Sequence, residues 1–400
     1  MVLQADACKR IPHIAIFNCA EHGHVNPTLG MVKELTARGY RVSYTTSAEF
    51  APLVSACGAI PVIFEPIFSK ETPRPEDMGH VVVELAKEAS HTWQPLYNAF
   101  NDDRPDIIAY GPLSWLGKIF AKLWGIPSVA LNPTHVSYQG QSEEWLGVNA
   151  DKWPCLAILQ NMLQRNGQNL DIQTLLADHD NILAFIPRSF QEKAETVPCQ
   201  TLFVGPHIMP RPSAVRWIKP DKERPVIAIS LGSVYTDQPN FFRACISAFA
   251  ESEYRVIISL GRYVSLEALG VLPDNVDVYA SIPQLEVLAI ADLFITHAGM
   301  NSVMEAAHFG VPLIAVPQQA EQRLNAQRIE QLGLGRYLRR EEVNADTLMN
   351  AAREVLATPA IQENLAFFQQ QIRQAGGARA AADLFDRILA SRNPGLAAAS

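Results

Sequence analysis

The feature that most constrains this chain is that it opens twice in the same way. Residues 13–46 read as an apolar strand (Ile14 to Phe17), a polar loop, a helix to about Arg38, Gly39 as a stop, and a second strand, RVSYTT. Residues 225–260 repeat the plan with VIAISLGS, a polar loop, a helix around Phe241 to Ala250, and RVIISL. Strands this uniformly apolar are buried on both faces, which means parallel sheets with helices on each side. Two such units predict an α/β fold of two Rossmann-like domains. A chain of 400 residues divides naturally into two cores of roughly 150–200 residues each. The break is expected at Pro206 to Arg224, dense in prolines and charges. We therefore expect domains over 1–206 and 225–375, a linker over 207–224, and an amphipathic helix over 376–392. Ligands in such sheets bind beyond the carboxyl ends of the strands. The cleft between the domains is the expected site, with one substrate supplied by each side.

The second half carries the densest chemical signal, from Ala291 to Gln322: ADLFITHAGMNSVMEAAHFGVPLIAVPQQAEQ. It reads as a buried strand (Leu293 to Thr296), a loop (His297 to Asn301), a helix (Ser302 to Phe309) and a second strand (Pro312 to Val316). Such a turn presents free backbone N–H groups and the positive helix end to an anion, so it suits a phosphate. His297, Asn301 and Ser302 stand at that mouth as further donors, and Gly299, after His297-Ala298, joins them as a candidate donor-binding residue. Glu305 lies one turn deeper, where Ser302-x-x-Glu305 also fits a capping box. Ser233, after Gly232, ends the strand VIAISLGS.

The first half places Glu21-His22-Gly23-His24-Val25-Asn26-Pro27 just after its first strand. Asn26 reads as an N-cap and Pro27 as the first helical residue. His24 then sits near a helix N-terminus, whose positive end disfavours imidazolium and keeps the ring neutral, as a general base requires. Residues 64–93 and 133–165 read as irregular and aromatic-bearing, so Phe68, Trp115, His135 and Tyr138 are expected around an apolar acceptor pocket.

The net charge of -8 argues against a nucleic-acid binder. The six cysteines show neither CxxC spacing nor a metal pattern, and they read as reduced thiols of a cytoplasmic protein. No apolar run approaches the ~18 residues that span a bilayer, and neither a signal peptide nor a metal is expected.

The order of residues from Ala291 to Gln322 resembles the nucleotide-sugar signature of the UDP-glycosyltransferases, family 1, especially their bacterial macrolide and natural-product branch. The resemblance implies the GT-B architecture, with the final helix crossing back onto the first domain. It implies that His297 and the helix mouth hold the diphosphate, with Ser233 contacting it, Glu305 the ribose, and Glu321 with Gln322 the donor sugar. It makes His24 the base, with His22 its local competitor, for a single inverting displacement that needs no metal or resident cofactor. The implied partners are a UDP-sugar and a hydrophobic acceptor such as a macrolide, a flavonoid or another phenol. A resistance or detoxification role and a monomeric or weakly dimeric state go with it.

Two positions depart from the family pattern. Ser281-Ile282-Pro283-Gln284 stands where the family shows Trp before Val/Ala-Pro-Gln, so no aromatic face awaits the base. Ile282 backbone groups and Gln284 remain to read base and ribose, and a dTDP-sugar stays open. Gly111 stands where relatives place the aspartate that orients the catalytic histidine. Three accounts are open: Ser114 orients the ring, another carboxylate replaces the aspartate, or the acceptor is acidic enough to need little help. A catalytically weak nucleotide-sugar-binding partner of another transferase is the alternative function.

Overall fold

The computed structural model describes residues 10–66, 78–141, 153–178, 181–211, 217, 219 and 224–392. Among these residues the chain folds into two parallel sheets. The first contains β1 (His13–Phe17), β2 (Arg41–Thr46), β3 (Ile60–Ile63), β4 (Ile107–Tyr110), β5 (Ser128–Asn132), β6 (Asn181–Ala184) and β7 (Thr201–Phe203). The second contains β8 (Val226–Ser230), β9 (Arg255–Ser259), β10 (Val276–Tyr279), β11 (Leu293–Thr296), β12 (Leu313–Ala315) and β13 (Gly335–Tyr337). Their orders are β3-β2-β1-β4-β5-β6-β7 and β10-β9-β8-β11-β12-β13. In each sheet the strand order reverses where the first strand of the unit meets the fourth, β1 beside β4 and β8 beside β11.

The first domain's helices are α1 (His22–Ala37), α2 (Ala51–Ala56), α3 (Met78–Asn101), α4 (Trp115–Trp124), α5 (Cys155–Arg165) and α6 (Ile172–Ala177). The second domain's are α7 (Pro239–Phe249), α8 (Gln284–Leu288), α9 (Met300–Phe309), α10 (Ala320–Gln331), α11 (Ala345–Ala357) and α12 (Pro359–Gln374). The last, α13 (Gly377–Arg392), packs on α1 rather than on its own sequence neighbours. Ala381, Phe385 and Leu389 of α13 share one buried cluster with Ile14, Ile16, Leu35 and Tyr44. Arg38, which follows α1, holds α13 through Asp383 at 2.7 Å and Asp386 at 2.5 Å. The chain thus crosses between domains twice, and the crossings touch: the Gly377 N–H donates to the Val204 carbonyl at 2.8 Å.

Three sequence expectations are corrected. Residues 78–101 form a long helix, not an irregular aromatic segment. Val82, Leu85, Ala86, Ala89, Trp93, Leu96 and Phe100 recur at helical spacing and are all buried, so the aromatics serve the core. Likewise 155–165 is helical. Helix α1 starts at His22, because an extended Glu21 offers its carbonyl to the N–H groups of His24 at 3.0 Å and Val25 at 2.9 Å. Asn26 is therefore no cap, and Pro27 lies inside the helix. Helix α9 starts at Met300 with Gly299 as its cap, so Ser302-x-x-Glu305 is not a capping box. No helix among the described residues is long and apolar enough to cross a membrane.

Candidate active site

The two switch points face each other, and each is built around one histidine. On the second side His297 follows β11 directly. Its ring fills the space above two glycines: a Cβ on Gly232 would lie 2.7 Å from Nε2, and one on Gly299 only 2.4 Å away. Gly232 also has φ +83°, a left-handed conformation that favours glycine. Ala298, between His297 and Gly299, is itself left-handed at φ +62°, which turns the loop sharply into α9. Burial pushes the His297 imidazole down to about 4, against the Ser230 carbonyl, which favours the charged form. At neutral pH the ring is uncharged, with a single N–H, and it stands beside the open amides of α9, an arrangement suited to an anion.

Deeper along α9, Glu305 is almost fully buried and satisfied on both oxygens. Arg211 donates to Oε1 at 2.5 Å and Gln284, at the start of α8, donates to Oε2 at 2.7 Å. The same Gln284 amide lies 3.4 Å from the Ser302 hydroxyl. Gln284, Ser302 and Glu305 thus meet in one cluster, while Ser233 and Ser281 are exposed on the loops above and Ile282 is half-buried. Arg211 was not singled out by the sequence; it stands in a proline-rich segment that gave no periodic signal.

Glu321 and Gln322 open α10. Glu321 Oε1 accepts from the Thr134 hydroxyl at 2.6 Å and from Asn325 Nδ2 at 2.8 Å. Burial raises the Glu321 carboxyl, and these two donors oppose that rise. Gln322 is turned to its own loop, its Oε1 accepting from the Gln318 N–H at 2.8 Å.

On the first side, His24 is the third residue of α1. Its Nδ1 is covered and has no hydrogen-bond partner among the described residues. Burial alone lowers its imidazole to about 4, with no carboxylate contributing. The turn beneath it is held by Asn18, whose Nδ2 donates to the His24 carbonyl at 2.8 Å and to the Tyr44 hydroxyl at 2.9 Å. The Asn18 Oδ1 accepts from Cys19 N–H at 3.0 Å. That same oxygen would sit 2.4 Å from a Cβ placed on Gly111. Asn18 therefore occupies the space a side chain at 111 would need. It anchors the backbone of His24 and not its ring.

Ser114 does not reach His24. Its hydroxyl lies 3.6 Å from the Cys19 sulfur, so the structure gives it no hand in orienting the ring. The expected acceptor residues are also redistributed. Trp115 is 4% exposed and packs in the core, and Tyr138 is buried with Lys193 5.0 Å above its ring. His135 is buried, stacked on Phe190, with Nε2 3.0 Å from Asn325 Oδ1. Phe68 lies outside the described residues. His22 leans edge-on against Phe50 at 4.8 Å, so it is His24 that is left without such a partner.

The two sides touch at Asn301, in the first turn of α9. Its Nδ2 lies 3.3 Å from the His22 carbonyl and 3.5 Å from the Gly23 carbonyl. Pro27 explains the second contact. It has no N–H to donate back to residue 23, so a helical carbonyl is left open toward the other domain.

Residues 243–376 match the family described as the C-terminal domain of erythromycin biosynthesis protein CIII-like proteins. The chain is similar to an NDP-glycosyltransferase of Bacillus licheniformis, at 34% identity over 94% of this chain and 98% of that one. It is 34% identical to an oleandomycin glycosyltransferase of Streptomyces antibioticus over 95% of this chain and 92% of the other. Its fold matches the crystal structure of the kitacinnamycin glycosyltransferase with a TM-score of 0.86 and 31% identity, over 95% of this chain and 100% of that one.

Proposed function

This chain belongs to the bacterial natural-product glycosyltransferases of family 1, and on that premise we propose that it moves a hexose, glucose first, from a UDP-sugar to a hydroxyl of a hydrophobic natural product with inversion. The observation that carries the reading is the Asn301 bridge, because it sets the first turn of the anion-binding helix directly against the loop of His24. In the proposed reaction His24 Nε2 takes the acceptor hydroxyl proton as the oxygen attacks the anomeric carbon. The bond from that carbon to the phosphate oxygen breaks, and the nucleoside diphosphate leaves. Its charge is met by the α9 amides, donors already in place before charge develops, with the His297 ring beside them. Glu305, with Gln284, takes the ribose hydroxyls, Arg211 yielding to them, and Glu321 takes the sugar.

The covered, unpartnered Nδ1 of His24 bears on the acceptor. With no carboxylate to steady the imidazolium, the ring is a weak base. A phenol, with a pKa of about 10, gives up its proton far more readily than an aliphatic alcohol. We therefore place phenolic hydroxyls ahead of aliphatic ones. Exposed Ser281, where an aromatic face is absent, keeps dTDP-sugars as alternative donors.

The test is a mass-spectrometric screen of UDP-glucose and dTDP-glucose against phenolic and macrolide acceptors, with the anomeric configuration of each product read by NMR. Acceptor-dependent release of nucleoside diphosphate, abolished in His24→Ala, supports the reading. Tight nucleotide-sugar binding with no transfer to any acceptor favours the second reading, a binding partner of another transferase. The bare His24 ring is the observation behind that second reading.

A further inference from the structure

Helix α10 reaches across the domain boundary with one face. Glu321, Asn325 and Arg328 are spaced i, i+4, i+7, and each bonds to the first domain. Glu321 meets Thr134, Asn325 meets His135, and Arg328 Nη2 donates to the Ser189 carbonyl at 2.7 Å. The protons of the central link are fixed by its neighbours. His135 Nδ1 accepts from the Glu192 N–H at 3.3 Å, so Nε2 carries the proton and donates to Asn325 Oδ1. The Asn325 amide, fully buried, must then donate from Nδ2, to the Ala298 carbonyl at 2.9 Å and to Glu321 at 2.8 Å. Burial lowers the His135 imidazole to about 4, which keeps this neutral tautomer in place.

The two donors that reach Glu321, Thr134 and Asn325, converge on one of its oxygens, Oε1. Its other oxygen takes no protein donor among the described residues. We infer that Thr134 and His135, from the acceptor half, are positioning residues for the donor sugar: they fix the Glu321 carboxylate so that its free oxygen faces a sugar hydroxyl. The seat for the transferred sugar is then complete only when both domains are docked, and Asn325 ties it to the loop of His297 through the Ala298 carbonyl. This rests on the proposed role of Glu321.

The experiment compares binding of UDP alone with the KM of UDP-glucose, or the dTDP pair where that is the better donor. Thr134→Val and His135→Phe are expected to raise the KM of the nucleotide sugar by about 5–20-fold, in keeping with a lost or loosened bond to a charged group. The dissociation constant of the nucleoside diphosphate, which lacks the sugar, stays unchanged. Thr134→Ser and His135→Gln keep a donor in place and restore the KM. Equal losses for the nucleotide and the nucleotide sugar, or no loss for either, would overturn the inference. Glu321→Gln separates the two layers. If it leaves the KM of the nucleotide sugar untouched, the sugar seat itself is elsewhere and both readings fall. If it raises that KM while the Thr134 and His135 variants do not, only the cross-domain positioning falls.

Discussion

The two domains answer the same topological position in opposite ways. In each, the site lies where the first strand of the unit pairs with the fourth. In the second domain the residue after the fourth strand is His297, and glycine beyond the first strand makes room for it. In the first domain the residue after the fourth strand is Gly111, and Asn18 beyond the first strand fills the room it leaves. One half spends the space on a side chain aimed at ligand. The other spends it on tying down the backbone of α1 and leaves the His24 ring unsupported. The same fold thus makes a glycine-lined anion cradle on one side and, on the other, a buried base whose Nδ1 has no partner among the described residues.

The sharpest way to break this contrast is His24→Ala. It is expected to lower kcat by about 10²–10⁴-fold while nucleotide-sugar binding, measured by calorimetry, is kept. Next is the cradle. Gly299→Ala places a methyl 2.4 Å from His297 Nε2, and the ring must leave. The KM of the nucleotide sugar should rise by about tenfold or more, in line with a lost charge-assisted bond, with the acceptor KM unchanged. The reverse pattern would undo the assignment of the two sides.

These tests also mark what could be read beforehand. The sheets were legible because their strands are continuous apolar runs, and the anion loop because a histidine, small residues and a helix follow one of them. The start of α1 is hidden in the sequence because Asn26-Pro27 imitates a helix beginning, whereas the cap is the Glu21 backbone, which has no sequence signature. The buried stripe of α3 was visible at helical spacing but was outweighed by its aromatics. Arg211 and Thr134 act through partners far away in sequence, and Asn18 matters through Gly111, so no local pattern could announce them. Only the Glu321, Asn325, Arg328 spacing left a trace.

Acidification should pull the two histidines apart. Both are held near 4 by burial, so each is neutral from neutral pH down to about 5. As pH falls through about 4, His24 gains a proton and loses its lone pair, so kcat falls there and not near the usual 6.5. His297 gains a charge and a second donor over the same range, so UDP-glucose binds more tightly. A kcat acid limb near 6.5 would show that the His24 ring is not desolvated as the structure has it.

Gly111→Asp asks whether the first domain can be given the missing support. On this backbone its Cβ falls 2.4 Å from Asn18 Oδ1. The single variant should therefore lose about 1–3 kcal/mol of stability by overpacking, read as a lower thermal midpoint. Adding Asn18→Ala opens the space, and the double variant should gain turnover on aliphatic alcohols more than on phenols. Ser114→Ala should do least, changing kcat by less than about twofold, since a weak hydroxyl–thiol contact is all it removes.

The return of α13 to the first domain has a consequence for how the protein is made. Phe385 and Leu389 complete a core whose first-domain members, from Ile14 to Val204, leave the ribosome first. The amino-terminal half must wait, with one apolar flank uncovered, until α13 has been made. Removing α13 should accordingly expose the acceptor half to proteases before the nucleotide-binding half.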